Sequence, residues 1–550
     1  MNKPDGCPLC PTGRVRRQSG LYTANSCGLE RAVGRFQDAG GPLPAPAPEH
    51  VRGEFSDRPV AVYAVPVLVL TFLLAAATAA PRFQIQSLMV EGDVASVVAT
   101  DLDGDGRKDL LAVYLTGIPP YQRRWFAIFW NRSGVFAPRP DLTLAVDEAE
   151  ACAFDVGPTN GSAADDLLLV TPRGVNAKSF PGRIGAAPRR LVEYPTLFHQ
   201  PINGELPRIR VVRDLASGKS HDLVVPSLGS LAIFRRNGDR YEKASELEVD
   251  MEVSGGPKRG DGIEVRYGFP ALHVVDTDGD GLRDIIATQE DRVAIYRQGP
   301  GFSFHPQPDF SRDFSVRTPA DYRERGTSAT TIVSDLDGDG YVDLIVRKQV
   351  FEGVTSARST SYVFLGRKDG FSREPAEILE SEGVSLFQTQ LVDLDGDGRP
   401  DLVVPYTSFG VFALIRMLTA KTAKVDFQIY PFDRKRRKFA LEPMSNRELK
   451  FRIPLAGDSD LQAVNLTADV TGDGKPDLIF GSSEDQLDIY PAVGAGEFAS
   501  RPAETVEVRA AGILEAIDLD GKGRADLILH YPKTRGHRGE IVVLTNRGGW

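Results

Sequence analysis

The stretch "DLDGDGRKDLLAV", residues 101–113, decides how this chain is read. Asp101, Asp103, Asp105 and Asp109 occupy the first, third, fifth and ninth places of a loop that also holds Gly104 and Gly106. Four carboxylates in so short a span repel one another, so the arrangement calls for a cation. Calcium suits it, since it takes about six to eight oxygen ligands, chiefly carboxylates and carbonyls. Arg107, at the seventh place, has only its backbone carbonyl to offer. The two glycines permit the positive φ that wraps a chain around an ion.

The flanks set the structural context. "VASVVAT" before the loop and "DLLAVY" after it are apolar and β-branched, so the loop joins two strands. A helix–loop–helix calcium site is excluded by the same flanks and by Ala112, which stands where such a site needs a bidentate Glu. For a single copy, an acidic surface turn without metal would compete. The loop is repeated, which argues against that alternative.

"DTDGDGLRD" begins at Asp276, "DLDGDGYVD" at Asp335 and "DLDGDGRPD" at Asp393, at intervals of 59 and 58 residues. "DVTGDGKPD" from Asp469 and "DLDGKGRAD" from Asp518 each lose one inner aspartate. Two fainter echoes, from Asp155 and Asp214, keep only the outer aspartates and are expected to hold no metal. A period of about 60 residues signals a repeat architecture whose units bury their faces against neighbours. Each unit reads as four strands: one into the loop, one out of it ("DLIV", "DLVV"), a third such as "VAIY" or "LDIY", and a polar-alternating fourth. Radially repeated four-stranded antiparallel sheets make a β-propeller. The ends agree with this. "VVLTNRGGW" is a third strand and turn without a fourth strand, and "RFQIQSL" (82–88) is a strand without its own unit. The expected fold is therefore all-β, a single propeller of about eight blades over residues 82–550, closed by residues 82–88.

Residue 82 onward resembles the FG-GAP or VCBS-repeat proteins, whose D-x-D-x-D-G-x-x-D-L loops bind calcium in blades like those of the integrin alpha-subunit propeller. The motif is specific at four loops, partial at two and faint at two. The literal Phe-Gly and Gly-Ala-Pro signatures are not cleanly present, and Tyr267-Gly268-Phe269-Pro270 only approaches them. The resemblance implies fold and metal and leaves the ligand open. The expected metal residues are Asp101, Asp103, Asp105, Arg107 and Asp109; Asp276, Asp278, Asp280, Leu282 and Asp284; and Asp335, Asp337, Asp339, Tyr341 and Asp343. The set continues with Asp393, Asp395, Asp397, Arg399 and Asp401; Asp469, Asp473, Lys475 and Asp477; and Asp518, Asp520 and Asp526. Four to five calcium ions are expected per chain. Lys522, in the fifth place of the last loop, disfavours an ion there.

The formal net charge of −10 argues against a nucleic-acid partner. Residues 60–80, "VAVYAVPVLVLTFLLAAATAA", read as a secretory signal cleaved after Ala77-Thr78-Ala79, with an uncleaved membrane anchor as the alternative. Either reading places the propeller outside the membrane. Residues 1–59, with Cys7, Cys10 and Cys27, read as an extension ahead of that signal, either a cytoplasmic tail or a gene-model artefact. Beyond the signal only Cys152 remains, so no internal disulfide is available and metal is the expected staple.

The chain has no nucleophile elbow, H-E-x-x-H, P-loop or dinucleotide motif. The leading expectation is a monomeric calcium-binding module for an unidentified protein or polysaccharide, without catalysis. A lyase-like carbohydrate-active enzyme on the same scaffold is the alternative, and a structural envelope component a third reading. Recognition candidates are Tyr121, Arg123, Arg124 and Trp125 in "YLTGIPPYQRRW", with Tyr322 and Arg323 in "RTPADYRERG". Tyr, Trp and Arg are enriched in binding hot spots. Arg259-Gly260-Asp261 spells an adhesion tripeptide and is given little weight. "VFALIRMLTAKTAK" (411–424) has helical spacing and is expected to pack on its blade, and "DRKRRK" (433–438) is expected to be a solvated turn.

Overall fold

The computed structural model describes residues 81–550 apart from 120, 147–149, 199–203, 205, 217–220, 258–262, 319–326, 352–356, 383–386, 408–410, 434, 453–458 and 495. The extension 1–59, the segment 60–80, Arg259-Gly260-Asp261, Tyr322 and Arg323 lie outside the described residues.

Each pair of apolar runs around an acidic loop forms the first two strands of a four-stranded antiparallel sheet, and there are eight such sheets. Blade 1 comprises Asp93–Thr100, Asp109–Thr116, Arg123–Phe129 and Leu142–Ala145. Blade 2 comprises Ala153–Gly157, Asp166–Thr171, Gly174–Lys178 and Arg189–Glu193. Blade 3 comprises Val212–Arg213, Asp222–Ser227, Ser230–Asn237 and Arg240–Glu248. Blade 4 comprises Ala271–Val275, Asp284–Gln289, Arg292–Tyr296 and Phe310–Asp313. Blade 5 comprises Thr327–Ser334, Asp343–Phe351, Ala357–Phe364 and Glu377–Glu382. Blade 6 comprises Gln390–Val392, Asp401–Tyr406, Thr422–Tyr430 and Ser445–Arg452. Blade 7 comprises Val464–Ala468, Asp477–Gly481, Gln486–Tyr490 and Glu504–Glu507.

Blade 8 is completed from the other end of the chain. Ile513–Ile517, Asp526–His530 and Glu540–Asn546 are joined by Phe83–Met89, paired antiparallel from Phe83↔Asn546 to Met89↔Glu540. The expected closing strand is thus in place, and the sheets form an eight-bladed propeller.

Stacking of the blades explains why the second strands lack an alternating pattern. In blade 1, Leu110 and Ala112 pack with Ile528, Ile541 and Val543 of blade 8. The intervening Leu111 and Val113 pack with Phe154 and Leu167 of blade 2. Both faces of the strand are covered, so every residue from Leu110 to Val113 is buried. Among the described residues no helix is long and apolar enough to cross a membrane.

Two expectations need correction. The helix runs only over Val411–Ala420, with Lys421 at φ 54 ending it, and Thr422–Tyr430 is the third strand of blade 6. Alternating burial of Ala423, Val425, Phe427 and Ile429 prevails over the helical spacing there. Ile415 and Leu418 remain half-exposed, so the apolar stripe is not fully packed on the blade. The echo at Asp155 is also shifted in register. Asp155 lies within the first strand, opposite Leu168, and its carboxylate accepts hydrogen bonds from the backbone N–H groups of Val211 and Val212 in blade 3.

Candidate metal centres

The loops between first and second strands lie on one face of the propeller and each takes the number of its blade; loops 1, 4, 5, 6, 7 and 8 share one hydrogen-bond scheme. The first aspartate folds the loop around itself. In loop 1, Asp101 Oδ1 accepts from the N–H of Gly104 (2.7 Å) and Asp105 (3.1 Å), and its Oδ2 accepts from Gly106 (2.9 Å). Asp276, Asp335, Asp393, Asp469 and Asp518 accept from the fourth- and sixth-place glycines in the same way. These glycines have positive φ, 78° at Gly104 and 85° at Gly106, so the motif needs them on conformational grounds.

The ninth aspartate is a clamp. Asp109 Oδ2 accepts from Leu102 N–H (3.0 Å), and its Oδ1 accepts from Asn131 N–H (2.8 Å), just past the third strand. Asp343 repeats this with Leu336 and Gly366, Asp477 with Val470 and Ala492, and Asp526 with Leu519 and Asn546. Asp284 does so with Thr277 and Gln298, and Asp401 accepts from Leu394 N–H (2.9 Å).

Carboxylate oxygens converge within 4.8 Å in five trios: Asp101, Asp103 and Asp109; Asp276, Asp278 and Asp284; Asp335, Asp337 and Asp339; Asp393, Asp395 and Asp401; and Asp518, Asp520 and Asp526. Clustered hard oxygen donors on a tight loop fit a hard divalent cation. The fifth-place Asp105, Asp280 and Asp397 stand outside these trios, each accepting from the N–H of its seventh-place neighbour, Arg107, Leu282 or Arg399. Asp473 does the same for Lys475 N–H in loop 7, which has Thr471 in the third place and is not among the trios. Tyr341 N–H donates to Asp339 Oδ1 at 3.0 Å. In loop 8, Lys522 Nζ lies 2.5 Å from Asp520 Oδ2.

Burial sets the electrostatics. Desolvation pushes Asp109, Asp343 and Asp401 up to about 7 and Asp526 up to about 6. The backbone N–H groups they accept from pull the other way, and neighbouring loop carboxylates add to the rise. These groups are therefore costly to ionise without a cation beside them.

Neighbouring blades supply side chains that motif spacing did not reveal. Arg399 of loop 6 lies over Gly338 of loop 5, and Lys475 of loop 7 over Gly396 of loop 6, so a side chain at Gly338 would collide with the guanidinium. Arg183, in the turn after the third strand of blade 2, reaches loop 1, with Nε 2.7 Å from Asp103 Oδ2 and Nη2 3.4 Å from Asp105 Oδ2. Arg437, in the basic run expected to be solvated, pairs through Nε with Asp337 and through Nη2 with Asp339 Oδ2 at 2.6 Å. No local pattern marks them, because each contact crosses a blade boundary.

The recognition candidates divide. Tyr121 is 86 % exposed in the loop opposite the acidic face, and Arg123 is exposed beside it. Arg124 is buried and donates to the Ala151 carbonyl, while Trp125 stacks on Tyr114 with centroids 6.2 Å apart. Both lie within the third strand, where side chains alternate between interior and edge.

Comparison with known proteins adds three findings. Residues 276–346 and 335–404 match the FG-GAP-like repeat. Integrin alpha-IIb of Homo sapiens is 29 % identical over 167 residues, covering 26 % of this chain and 15 % of that protein, and the Mus musculus protein is 27 % identical over 178 residues, covering 29 % and 17 %. The chain thus spans less than a fifth of the length of these relatives. Among solved structures, an Agrocybe aegerita lectin specific for non-reducing terminal N-acetylglucosamine aligns with TM-score 0.36 at 15 % identity, covering 83 % of this chain and 86 % of that one. The Vibrio cholerae biofilm matrix protein Bap1 aligns with TM-score 0.36 at 11 % identity, covering 85 % and 92 %.

Proposed function

The chain belongs to the FG-GAP-like repeat β-propellers, and from that premise we propose that it is an exported calcium-binding module that recognises a protein or glycan without catalysing a reaction on it. Calcium would be held by the first, third, fifth and ninth carboxylates of loops 1, 4, 5 and 6, with the carbonyls of Arg107, Leu282, Tyr341 and Arg399. Its contribution is charge neutralisation: it removes the repulsion among buried carboxylates and ties each loop to its blade. The chain's own residues supply the rest, the first aspartate shaping the loop and the ninth fixing it to the strands.

One observation carries the recognition reading. On the face opposite the acidic loops, several large apolar side chains stand exposed, spread over several blades: Ile118 and Tyr121 of blade 1, Leu228 of blade 3, Phe351 of blade 5, and Val253 and Tyr267 of the hairpin between blades 3 and 4. Tyrosine is enriched in binding hot spots, and Tyr121, 86 % exposed, is open to a partner on this face. A glycan array and a screen of surface proteins, each run with the native protein and with Tyr121→Ala combined with Phe351→Ala, test this. Binding that survives the double substitution removes the assignment of this face. Turnover of a polysaccharide by the purified protein would favour the lyase-like alternative.

A further inference from the structure

We propose that Arg183 and Arg437 act as latches that divide the four complete loops into two classes, so that calcium at loops 1 and 5 must displace a guanidinium forked across two loop carboxylates while calcium at loops 4 and 6 meets no such fork. This rests on the calcium reading above and concerns which sites exchange their ion.

The two contacts are the same device used twice. Arg183 (φ 66) and Arg437 (φ 52) both hold left-handed backbone in the turn that follows a third strand. Each sends its guanidinium back to the loop of the preceding blade, and each meets the third- and fifth-place carboxylates together. A planar fork matched to two carboxylates is the geometry in which arginine excels. The third-place carboxylates are nearly enclosed, with side chains 7 % exposed at Asp103 and 2 % at Asp337. An enclosed carboxylate is costly to keep ionised without a cation beside it. The guanidinium cannot deprotonate at any ordinary pH, so it can yield the site only by moving. Side-chain exposures of 36 % for Arg183 and 46 % for Arg437 leave a path to solvent.

Loops 4 and 6 differ. The hairpins beside them carry Gly370 and Gly496 at positive φ, among the residues that follow the third strands of blades 5 and 7. In loop 4 the nearest cation is Arg297 of the same blade, 3.5 Å from Asp278, and its Nη2 is committed to the Lys368 carbonyl at 2.6 Å. In loop 6, Lys475 of the next blade stands over Gly396 and sets a positive charge near Asp395, but among the described residues no guanidinium forks across the loop's carboxylates. These two loops have no competing fork and retain their carboxylates for metal.

The test is calcium titration by calorimetry on the whole protein and on Arg183→Gln combined with Arg437→Gln, with thermal melts in calcium and in excess chelator. Glutamine keeps hydrogen-bonding capacity and removes the charge. Two sites should tighten about tenfold, the Coulomb cost of a unit charge about 6 Å from a divalent ion at water-like permittivity. The melting temperature should fall in chelator and hold or rise in calcium. Superimposable isotherms, or melting temperatures that fall equally in both conditions, overturn the latch, because a merely structural arginine behaves that way. If the native protein binds no calcium, the metal reading itself fails and takes the inference with it. Should the double variant not fold, each single substitution is expected to tighten one site, and an unchanged isotherm there overturns the latch equally.

Discussion

Replacing Asp109 with alanine separates the two roles of the ninth aspartate. Its oxygens accept from the backbone N–H groups of Leu102 and Asn131, and the residue is fully buried. Alanine leaves two buried donors without acceptors, at about 1–3 kcal/mol each. Part of that is returned in the metal-free protein, because a carboxylate pushed up to about 7 by burial no longer has to be ionised. We expect a net loss of about 2–4 kcal/mol in chelator at neutral pH. Calcium at a hundredfold excess over its dissociation constant adds about 2.7 kcal/mol to the native protein, which the variant forfeits. Asp105→Ala is the control. Asp105 accepts from the N–H of Arg107 and pairs with partly exposed arginines, contacts worth about 0–1 kcal/mol. It should be nearly neutral in chelator and costly only in calcium. Urea denaturation of both variants with and without calcium measures the four differences. The reasoning is refuted if Asp109→Ala matches the native protein in chelator, or if Asp105→Ala loses as much without calcium as with it.

Further outcomes are expected. Elemental analysis of the purified protein should find four to five calcium ions per chain, and Lys522→Asp, which removes the ammonium beside Asp520, should add occupancy at loop 8. Eight equivalent ions would defeat that grading. Deleting residues 82–91 strips the seven-residue pairing with Glu540–Asn546 and exposes a blade edge, so light scattering should report aggregation. A monomer of undiminished stability would refute closure by this strand. Burial pushes His530 down to about 4, so the folded chain binds fewer protons than the unfolded chain below about 6.5. Acidification from about pH 6.5 to about pH 4 should therefore cost about 3 kcal/mol through this residue, and His530→Leu should flatten that part of the stability profile.

Much of this molecule is legible in one dimension. The acidic loop with its two glycines, the apolar runs on either side, and their return at about 60-residue intervals specify strands, blades and the closing strand, because each is a local pattern with a local physical cause. The same locality sets the limits. Helical spacing over 411–424 overran the helix because strand pairing of Thr422–Tyr430 is a contact with other strands. Asp155 looks like a loop residue in sequence, yet its acceptors are filled by backbone donors of the next blade. Arg124 and Trp125 read as a surface pair, and only the packed strand shows that one is buried and the other stacked. Arg183 and Arg437 stand 80 and 100 residues from the aspartates they meet. Contacts between blades depend on how the repeats stack, and stacking is written in no single repeat.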